Sequence, residues 1–448
     1  MKENSWRNFQ AGYILREKKQ SLFFRTKKLI LWVMAVLVFI GGIYLLKINA
    51  PEKINAPEKS NAPEKKDVPQ EDVKEQVQLS KNQLNHIITN TEFNNTDKNF
   101  FLVDTSEARY KIFTSIDIYL QQYLLSLMDH LKTLTRGKSQ RIALVVMEPD
   151  TGKIIAMTGF DLKNPDQNPC MESDYPAASV FKIVTATAAV ETLGYNPQTQ
   201  LYFNGNKYTL YKRQLKDVKN KYTSKTSFSR AFAESINPVF GKIGKNYLGK
   251  EKLDHYADAF GFNQVIPAEL PFLSGTFKTN SEEYHLAELG SGFNTDTTIS
   301  PIFGAMLISA IVNSGNIILP SIVEHVTDSA GQIIYKNKTT LYKTAILPQT
   351  ATTMMQLLEK TITKGTAKRS FKGASKDKVL SKLLIGGKTG SLYNRDNTIK
   401  YDWFTGFGKE KTTNKQIALS IVVGHGKYIG TRASDYAQMI LKQYFKKS

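Results

Sequence analysis

The pattern of hydrophobic and polar positions predicts strands early and late in the chain. Residues 141–147 and 153–157 are apolar runs on either side of the turn-forming sequence EPDTG, which is typical of a β-hairpin. Residues 383–385, 403–407 and 417–423 also have the composition and length of strands.

Helices are predicted between and beside these strands. Residues 118–134 and 436–445 carry apolar side chains at helical spacing, and residues 179–358 are largely helical in pattern. Strands at both ends of a sequence with helices between them imply an α+β fold, in which an antiparallel sheet is backed by helices.

The longest uncharged apolar segment near the N-terminus lies at residues 29–46. It reads LILWVMAVLVFIGGIYLL, which is at the short end for a helix that spans a membrane. Eight basic residues against two acidic ones precede it, a bias that keeps residues 1–28 in the cytoplasm and exports the rest. A cleaved signal peptide is the alternative, but its apolar region is normally shorter, and residues 48–50 match the cleavage pattern poorly.

A short repeat follows this segment. The sequences NAPEKI, NAPEKS and NAPEKK fill residues 49–66, and a period of six is too short for a solenoid repeat. Regularly spaced prolines favour an extended, semi-rigid chain. We therefore interpret residues 47–78 as a spacer and expect one folded domain at residues 79–448.

Charge and cysteine content narrow the classes of function. The chain has 60 basic and 40 acidic residues, a net charge of +20, which suits an anionic surface or polymer, or a solvated basic face. Nucleic acid is disfavoured because the sequence has neither zinc-finger spacing nor an aromatic run of the RNA-binding type. The single cysteine, Cys170, is expected near the cleft without a catalytic role, and the six histidines show no metal-ligand spacing. We expect no metal and no cofactor.

The candidate chemistry begins at Ser179. Ser179 and Lys182 are three residues apart at the start of the apolar stretch IVTATAAVETLG, so they share one face of a helix. Such a stretch belongs to a buried helix, where a lysine in the first turn usually has a function. The positive end of the helix and partial burial both lower the pKa of the lysine, so its neutral amine can act as a base for the serine.

Two more short patterns follow, and each is weak alone. Ser-x-Asn at residues 235–237 also occurs at 80–82 and 314–316. Ser-x-x-Lys recurs at 375–378, in a polar stretch that we expect at the surface. Lys-Thr-Gly occurs once, at 388–390, next to a strand-like run and two further glycines that would let a ligand approach the backbone.

The ordered set is far more specific than its parts. Ser-x-x-Lys, then Ser-x-Asn, then Lys-Thr-Gly is the signature of penicillin-binding proteins and serine β-lactamases, and the chain resembles the monofunctional transpeptidases of that family. The stretches MEPDTGKIIAM, YPAASVFKI, GSGFNTDTTISPIFGAMLISAIVNSGNIILP and YDWFTGFG, with GTA at 365–367, strengthen the resemblance. It extends from about residue 113 to the C-terminus.

The resemblance implies a fold and a role for each matched residue. The fold is an antiparallel sheet of about five strands flanked by helices, with an all-helical subdomain. Ser179 would attack the carbonyl between two D-alanines of a wall stem peptide, and Lys182 would take its proton. Ser235 would relay the proton to the leaving D-alanine, and Asn237 would position the substrate amide.

The remaining matched residues would bind and polarise the substrate. Lys388 would support the electrostatics, the hydroxyls of Thr389 and Ser391 would hold the substrate carboxylate, and the backbone N–H groups of Ser179 and Ser391 would form the oxyanion hole. The implied catalytic residues are Ser179, Lys182, Ser235, Asn237 and Lys388, and the implied substrate-binding residues are Thr389, Gly390 and Ser391.

The implied activity is D,D-transpeptidation of peptidoglycan, with stem peptides, β-lactams, the membrane and other wall-synthesis proteins as partners. The site would lie outside the plasma membrane. About 90 residues separate the apolar segment from the predicted hairpin at residue 141, which is too few for an additional glycosyltransferase. A D,D-carboxypeptidase, a class D-like β-lactamase and a β-lactam sensor share the acylation motifs and stay open as alternatives.

Overall fold

The computed structural model describes residues 79–88, 91–106 and 108–446. The expected membrane helix at 29–46, with the tail at 1–28 and the spacer at 47–78, lies outside these residues. No helix in the described part of the chain is both long and apolar enough to cross a bilayer.

The helices of the described residues include both segments that were predicted at helical spacing, residues 118–134 and 436–445. They are α1 Lys81–Ile88, α2 Ile118–Thr133, α3 Lys182–Leu193, α4 Phe228–Ala233, α5 Asn237–Lys242, α6 Gly249–Phe260, α7 Glu283–Ser291, α8 Pro301–Val312, α9 Pro348–Thr363 and α10 Ala433–Phe445. A π-helical turn, Ile243–Leu248, joins α5 to α6.

The strands of the described residues include the predicted hairpin and the three predicted late strands. They are β1 Phe100–Asp104, β2 Arg109–Thr114, β3 Ser139–Met147, β4 Ile154–Asp161, β5 Tyr175–Pro176, β6 Gln200–Phe203, β7 Ser224–Ser227, β8 Val265–Ile266, β9 Phe272–Leu273, β10 Thr298–Ile299, β11 Asn316–Ile318, β12 Val323–Thr327, β13 Ile333–Lys336, β14 Leu341–Thr344, β15 Leu383–Tyr393, β16 Lys400–Glu410 and β17 Gln416–His425.

The central sheet joins the early hairpin to the late strands. Its five strands are all antiparallel, in the order β15-β16-β17-β3-β4. Alternate residues of β3 face opposite sides, as a period of two requires. Ile142, Leu144 and Val146 pack with α2 and α10, whereas Ala143 and Val145 belong to the larger core on the other face. The predicted α+β architecture, with an antiparallel sheet between helices, is confirmed.

The larger core is built on α8. All twelve of its residues are buried, which agrees with a sequence that is apolar all round. Its first helical residue is Pro301, and the Ser300 side chain caps it by accepting a bond from the backbone N–H of Phe303 at 3.3 Å. Helices α3 to α9 cover this face and form the helix-rich part of the domain.

The prediction that residues 179–358 are largely helical was incomplete. Nine short strands, β6 to β14, interrupt the helices, and seven of them form two-stranded pairs with other short strands. A second sheet was not predicted at all: it has four strands in the order β1-β2-β12-β13. Its central pair joins Thr114 to Val323, so the partners are remote in sequence.

Candidate active site

The nucleophile candidate lies at the entrance to α3. The chain arrives through β5, turns through a short 3₁₀ segment, Ala178–Phe181, and enters α3 at Lys182. The helix thus begins one turn later than the sequence pattern indicated. Trp403, fully buried on β16, donates from its ring Nε1 to the backbone carbonyl of Pro176 at 2.9 Å. This bond fixes the strand just before Ser179 against the central sheet.

Lys182 has its amine surrounded by acceptors. Its side chain is fully buried, and its Nζ lies 2.8 Å from Ser179 Oγ and 2.8 Å from Asn237 Oδ1. A third bond, of 2.5 Å, goes to the backbone carbonyl of Ser291. Burial holds the pKa of Lys182 well below its ordinary value, and the positive charge of Lys388 lowers it further. A neutral amine within hydrogen-bond reach of Ser179 is therefore available.

Ser235 and Asn237 are carried by the turn between α4 and α5. Ser235 adopts a positive φ of 56°, which redirects the chain so that α5 can start at Asn237. The Asn237 backbone N–H donates to the carbonyl of Lys207 at 2.8 Å, and its side-chain Nδ2 donates to the carbonyl of Tyr208 at 3.0 Å. These two bonds leave the side-chain oxygen of Asn237 facing Lys182.

Lys388 closes the site from β15. Its Nζ lies 3.1 Å from Ser235 Oγ and 2.8 Å from the carbonyl of Thr389, and its side chain is fully buried. Burial lowers the pKa of Lys388 to about 7. The two buried lysines therefore each contact one of the two serines, Lys182 at Ser179 and Lys388 at Ser235.

The Lys-Thr-Gly motif lies within β15 rather than beside a strand. At Gly390 the strand passes so near Ser179 that an added Cβ would meet Ser179 N and Ala177 O at 3.3 Å each. The hydroxyl of Thr389 is hydrogen-bonded to that of Thr366, and Ser391 is exposed. Glycine thus allows the strand to pass close to the backbone of Ser179.

A cavity of about 810 Å³ brings most of the expected residues together. Of the eight expected site residues, six line it and the two buried lysines lie behind it. Its walls include Ser179, Ser235, Asn237, Thr389, Gly390 and Ser391, together with Tyr208, Gly292, Phe293, Thr366, Arg369, Lys400, Asp402, Arg432 and Asp435.

Several of these residues were missed by sequence reasoning. Thr366 lies in the GTA stretch, whose resemblance to the family was the available signal, but its contact with Thr389 was not foreseen. Ser291 and Tyr208 contact Lys182 and Asn237 through their backbone carbonyls, so the type of residue at these positions gives no signal in the sequence. Asp402 lies opposite Ser391 across the β15–β16 ladder, and burial raises its pKa.

The competing short patterns lie elsewhere. Ser375, Ser314 and Ser80 are all exposed, and none of them lines the cavity.

Cys170 does not border the cleft as expected, because it is fully buried in the core with its Sγ 3.3 Å from the carbonyl of Thr158. Burial raises the pKa of this thiol to about 12. In the described part of the chain, no cluster of three or more His, Cys, Asp and Glu side chains could hold a metal ion.

Comparison with known proteins identifies the family. The model of the penicillin-binding protein transpeptidase domain matches residues 142–446, more than half of the chain. The chain belongs to the penicillin-binding protein transpeptidase family. Its relatives include a peptidoglycan D,D-transpeptidase, PbpA, from Mycolicibacterium smegmatis, 26% identical over 322 residues that cover 64% of this chain and 62% of the relative. Another is the stage V sporulation protein D of Bacillus subtilis, 25% identical over 260 residues, 55% of this chain and 39% of that protein.

Solved structures support the same fold. PBPA from Mycobacterium tuberculosis superposes with a TM-score of 0.59 at 21% identity, covering 75% of this chain and 81% of that one. The D,D-transpeptidase domain of a peptidoglycan glycosyltransferase from Eggerthella lenta gives a TM-score of 0.58 at 22% identity, covering 75% and 83%. The chain spans less than two thirds of the length of the curated relatives it matches.

Proposed function

We propose that the chain is a serine D,D-transpeptidase that cross-links the stem peptides of peptidoglycan, and that β-lactams acylate it at Ser179. The observation that carries the proposal is the 2.8 Å contact between the Ser179 hydroxyl and the buried amine of Lys182, whose pKa is held low. A base must lie within hydrogen-bond reach of the proton that it removes, and its pKa must leave it neutral at working pH.

In the acylation step, Lys182 accepts the hydroxyl proton as Ser179 Oγ bonds to the carbonyl carbon of the penultimate D-alanine. The negative charge on the carbonyl oxygen is stabilised by the backbone N–H groups of Ser179 and Ser391. The peptide C–N bond then breaks, and the proton reaches the leaving nitrogen through Ser235, which Lys388 contacts at 3.1 Å. Asn237 positions the substrate amide, and Thr389 and Ser391 hold the terminal carboxylate.

The second half-reaction separates the proposal from its alternatives. In the deacylation of a transpeptidase, the amine of a second stem peptide attacks the ester, whereas a carboxypeptidase or β-lactamase must direct water to it. The acids that line the described cavity are Asp402 and Asp435, and no described glutamate does. Asp402 is already engaged, since it accepts from the N–H of Ala433 at 3.0 Å and lies 3.6 Å from Arg432.

A modified Lys182 is a poor alternative base for water. A lysine that carries an added group on its nitrogen has at most one N–H left to donate, so it could not keep the bonds from Lys182 to both Asn237 and the Ser291 carbonyl. Correct orientation of an attacking group lowers a reaction barrier by several kcal/mol, and water in this cleft would lack that orientation. The cavity therefore favours an acyl-enzyme that reacts slowly with water.

Labelling with a fluorescent penicillin tests the proposal. We expect one stable adduct per chain, mapped by mass spectrometry to Ser179, and the Ser179→Ala variant should lose it with little change in melting temperature. Ser375→Ala is the matched control, because it removes the serine of the exposed Ser-x-x-Lys pattern and should label normally. An adduct on Ser375 would refute the assignment.

The lifetime of the same adduct distinguishes the reactions. We expect it to persist for many minutes, and stem peptide with an added amine acceptor should give cross-linked product and free D-alanine. Release of penicilloate many times per minute would identify a β-lactamase. Fast release of D-alanine that does not respond to the acceptor would identify a carboxypeptidase.

We also propose the arrangement in which residues 1–28 are cytoplasmic, residues 29–46 cross the plasma membrane, and the spacer at 47–78 carries the domain at 79–448 outside. The charge asymmetry around the apolar segment supports this topology. It would put the cleft in the compartment that contains the wall, where other wall-synthesis proteins would be its neighbours.

A further inference from the structure

Two exposed stretches of the chain are strongly basic. Residues 207–225, the first basic segment, hold seven basic residues and one acidic residue, a net charge of +6. Residues 360–382, the second basic segment, hold eight basic residues and one acidic residue, a net charge of +7. Every basic side chain in the two segments is exposed except Lys207 and Lys360, which are half-buried. Together the segments contain most of the chain's net charge of +20.

The positive charge of the segments is not neutralised within the described structure. The one acid of the first segment, Asp217, pairs with Lys242 outside it, at 3.4 Å. The one acid of the second, Asp377, pairs with Lys442 outside it, at 2.6 Å. Among the described residues, Lys207 is the one cation of either segment that forms an ion pair, with Glu234 at 3.1 Å. Clustered like charges of this kind create a positive potential that attracts anions.

Both segments are attached to the turn that carries Ser235 and Asn237. Asn237 binds the carbonyls of Lys207 and Tyr208 in the first segment. The backbone N–H of Thr366, in the second segment, donates to the carbonyl of Ala233 at 3.0 Å. Tyr208, Thr366 and Arg369 line the cavity that contains Ser179. A long ligand that crosses the cleft would therefore meet positive charge at two places on its rim.

The exposed aromatic residues indicate what kind of anion fits. Tyr208, Tyr211 and Tyr222 of the first segment are each more than half exposed, and flat tyrosine rings can stack on sugar rings while their hydroxyls bond to polar groups. The leucines of this segment, Leu210 and Leu215, are buried. A surface that enters a lipid bilayer would instead present exposed leucine, phenylalanine or tryptophan.

We propose that the two basic segments form a binding surface for a carboxylate-bearing glycan–peptide polymer, held across the cleft so that one stem peptide reaches Ser179. This inference rests on the proposed function, because it assigns the surface to the polymer from which the stem peptides project. The segments would bind the polymer outside the cleft, whereas a small acylating agent such as penicillin would contact the cleft alone.

Binding of uncross-linked, purified peptidoglycan strands to the full chain in detergent tests the surface. Three variants each remove three exposed lysines. The first-segment variant carries Lys212→Gln, Lys216→Gln and Lys221→Gln, and the second-segment variant carries Lys368→Gln, Lys372→Gln and Lys376→Gln. The charge-matched control variant carries Lys98→Gln, Lys336→Gln and Lys338→Gln, in or beside the second sheet. We expect the first two variants to bind strands at least about tenfold more weakly than the wild type and the control variant to bind normally.

Salt and a small probe complete the design. Strand binding should weaken between about 0.1 and 1 M salt, over which the screening length falls from about 10 to 3 Å. All three variants should react with fluorescent penicillin at the wild-type rate, which separates a failure of the surface from a failure of the proposed acylation. Wild-type strand binding by both segment variants, or an equal loss in the control, would overturn the proposal. Preference for vesicles of anionic phospholipid over strands would also overturn it, in favour of a membrane surface.

Discussion

Replacement of Lys388 by methionine tests the electrostatics of the site. Lys388 is fully buried, and burial lowers its pKa from 10.5 to about 7. At about 1.4 kcal/mol per pKa unit, this shift corresponds to roughly 5 kcal/mol. That free energy is the cost of holding the protonated amine in the folded site instead of in water.

The sign of the pH dependence follows from the two pKa values. Below pH 7 the amine is protonated in both the folded and the unfolded chain, so the full destabilisation is present. Between pH 7 and 10.5 only the unfolded chain is protonated, and the destabilisation shrinks as the pH rises. It amounts to about 5 kcal/mol at pH 6 and about 2 kcal/mol at pH 9.

Methionine has a length similar to that of lysine and cannot carry charge. The substitution removes the two hydrogen bonds that Lys388 makes to Ser235 Oγ and the Thr389 carbonyl, each of which contributes about 1 kcal/mol to stability. We therefore expect Lys388→Met to be more stable than the wild type by up to about 3 kcal/mol at pH 6 and nearly equal at pH 9. Acylation by penicillin should fall at least about 100-fold.

Denaturant unfolding at the two pH values, with penicillin acylation measured alongside, checks this expectation. Lys382→Met is the control, because it removes one lysine whose side chain is exposed just before β15. A stability difference between Lys388→Met and the wild type that is the same at pH 6 and pH 9 would refute the reasoning.

Two further predictions concern the backbone near Ser179 and the topology of the chain in the membrane. Gly292 has a φ of +62°, and a Cβ there would lie 2.0 Å from the carbonyl oxygen of Ala178, so Gly292→Ala should cost more than about 2 kcal/mol and slow acylation. Gly194→Ala is the control, because Gly194 has a similar φ of +66° but an added Cβ would lie in open space, so this variant should lose only about 1 kcal/mol and acylate normally. Denaturant unfolding and penicillin labelling measure the two effects. Equal effects of the two substitutions would contradict the clash of the added Cβ at Gly292 with Ala178. Protease added to spheroplasts should digest residues 47–448, whereas complete protection would contradict the topology expected from residues 29–46.

The sequence predicted best those features whose partners are close together in the chain. Ser179 and Lys182 are three residues apart, so their spacing predicted a shared helical face, and the structure places their side chains 2.8 Å apart. The hairpin β3–β4 is similarly local, with Ala143 opposite Gly159. The second sheet was missed because its β2–β12 ladder joins residues about 200 apart and because its short strands are largely half-exposed.

The prediction of β15 stopped at residue 385 because the site interrupts the pattern of a strand. The structure continues the strand to Tyr393 through three glycines and Lys388, none of which is typical of a strand interior. Each departure has a local reason: at Gly386 and Gly387 an added Cβ would lie 2.4 Å from the rings of Phe407 and Phe404. The residues that make the strand hard to recognise are those that let it pack closely beside the cleft.

The same conflict between reactivity and stability extends through the whole site. Ala178, just before Ser179, and Ser235 both adopt positive φ angles, of 49° and 56°, and such strain costs about 1–3 kcal/mol for each residue other than glycine. The two buried lysines add a desolvation cost of the same sign. Large apolar cores on both faces of the central sheet, with α8 wholly buried in one of them, stabilise the fold against these costs. Because the strain and the burial are what bring a neutral amine to Ser179, substitutions that relieve them should stabilise the domain and reduce its acylation together.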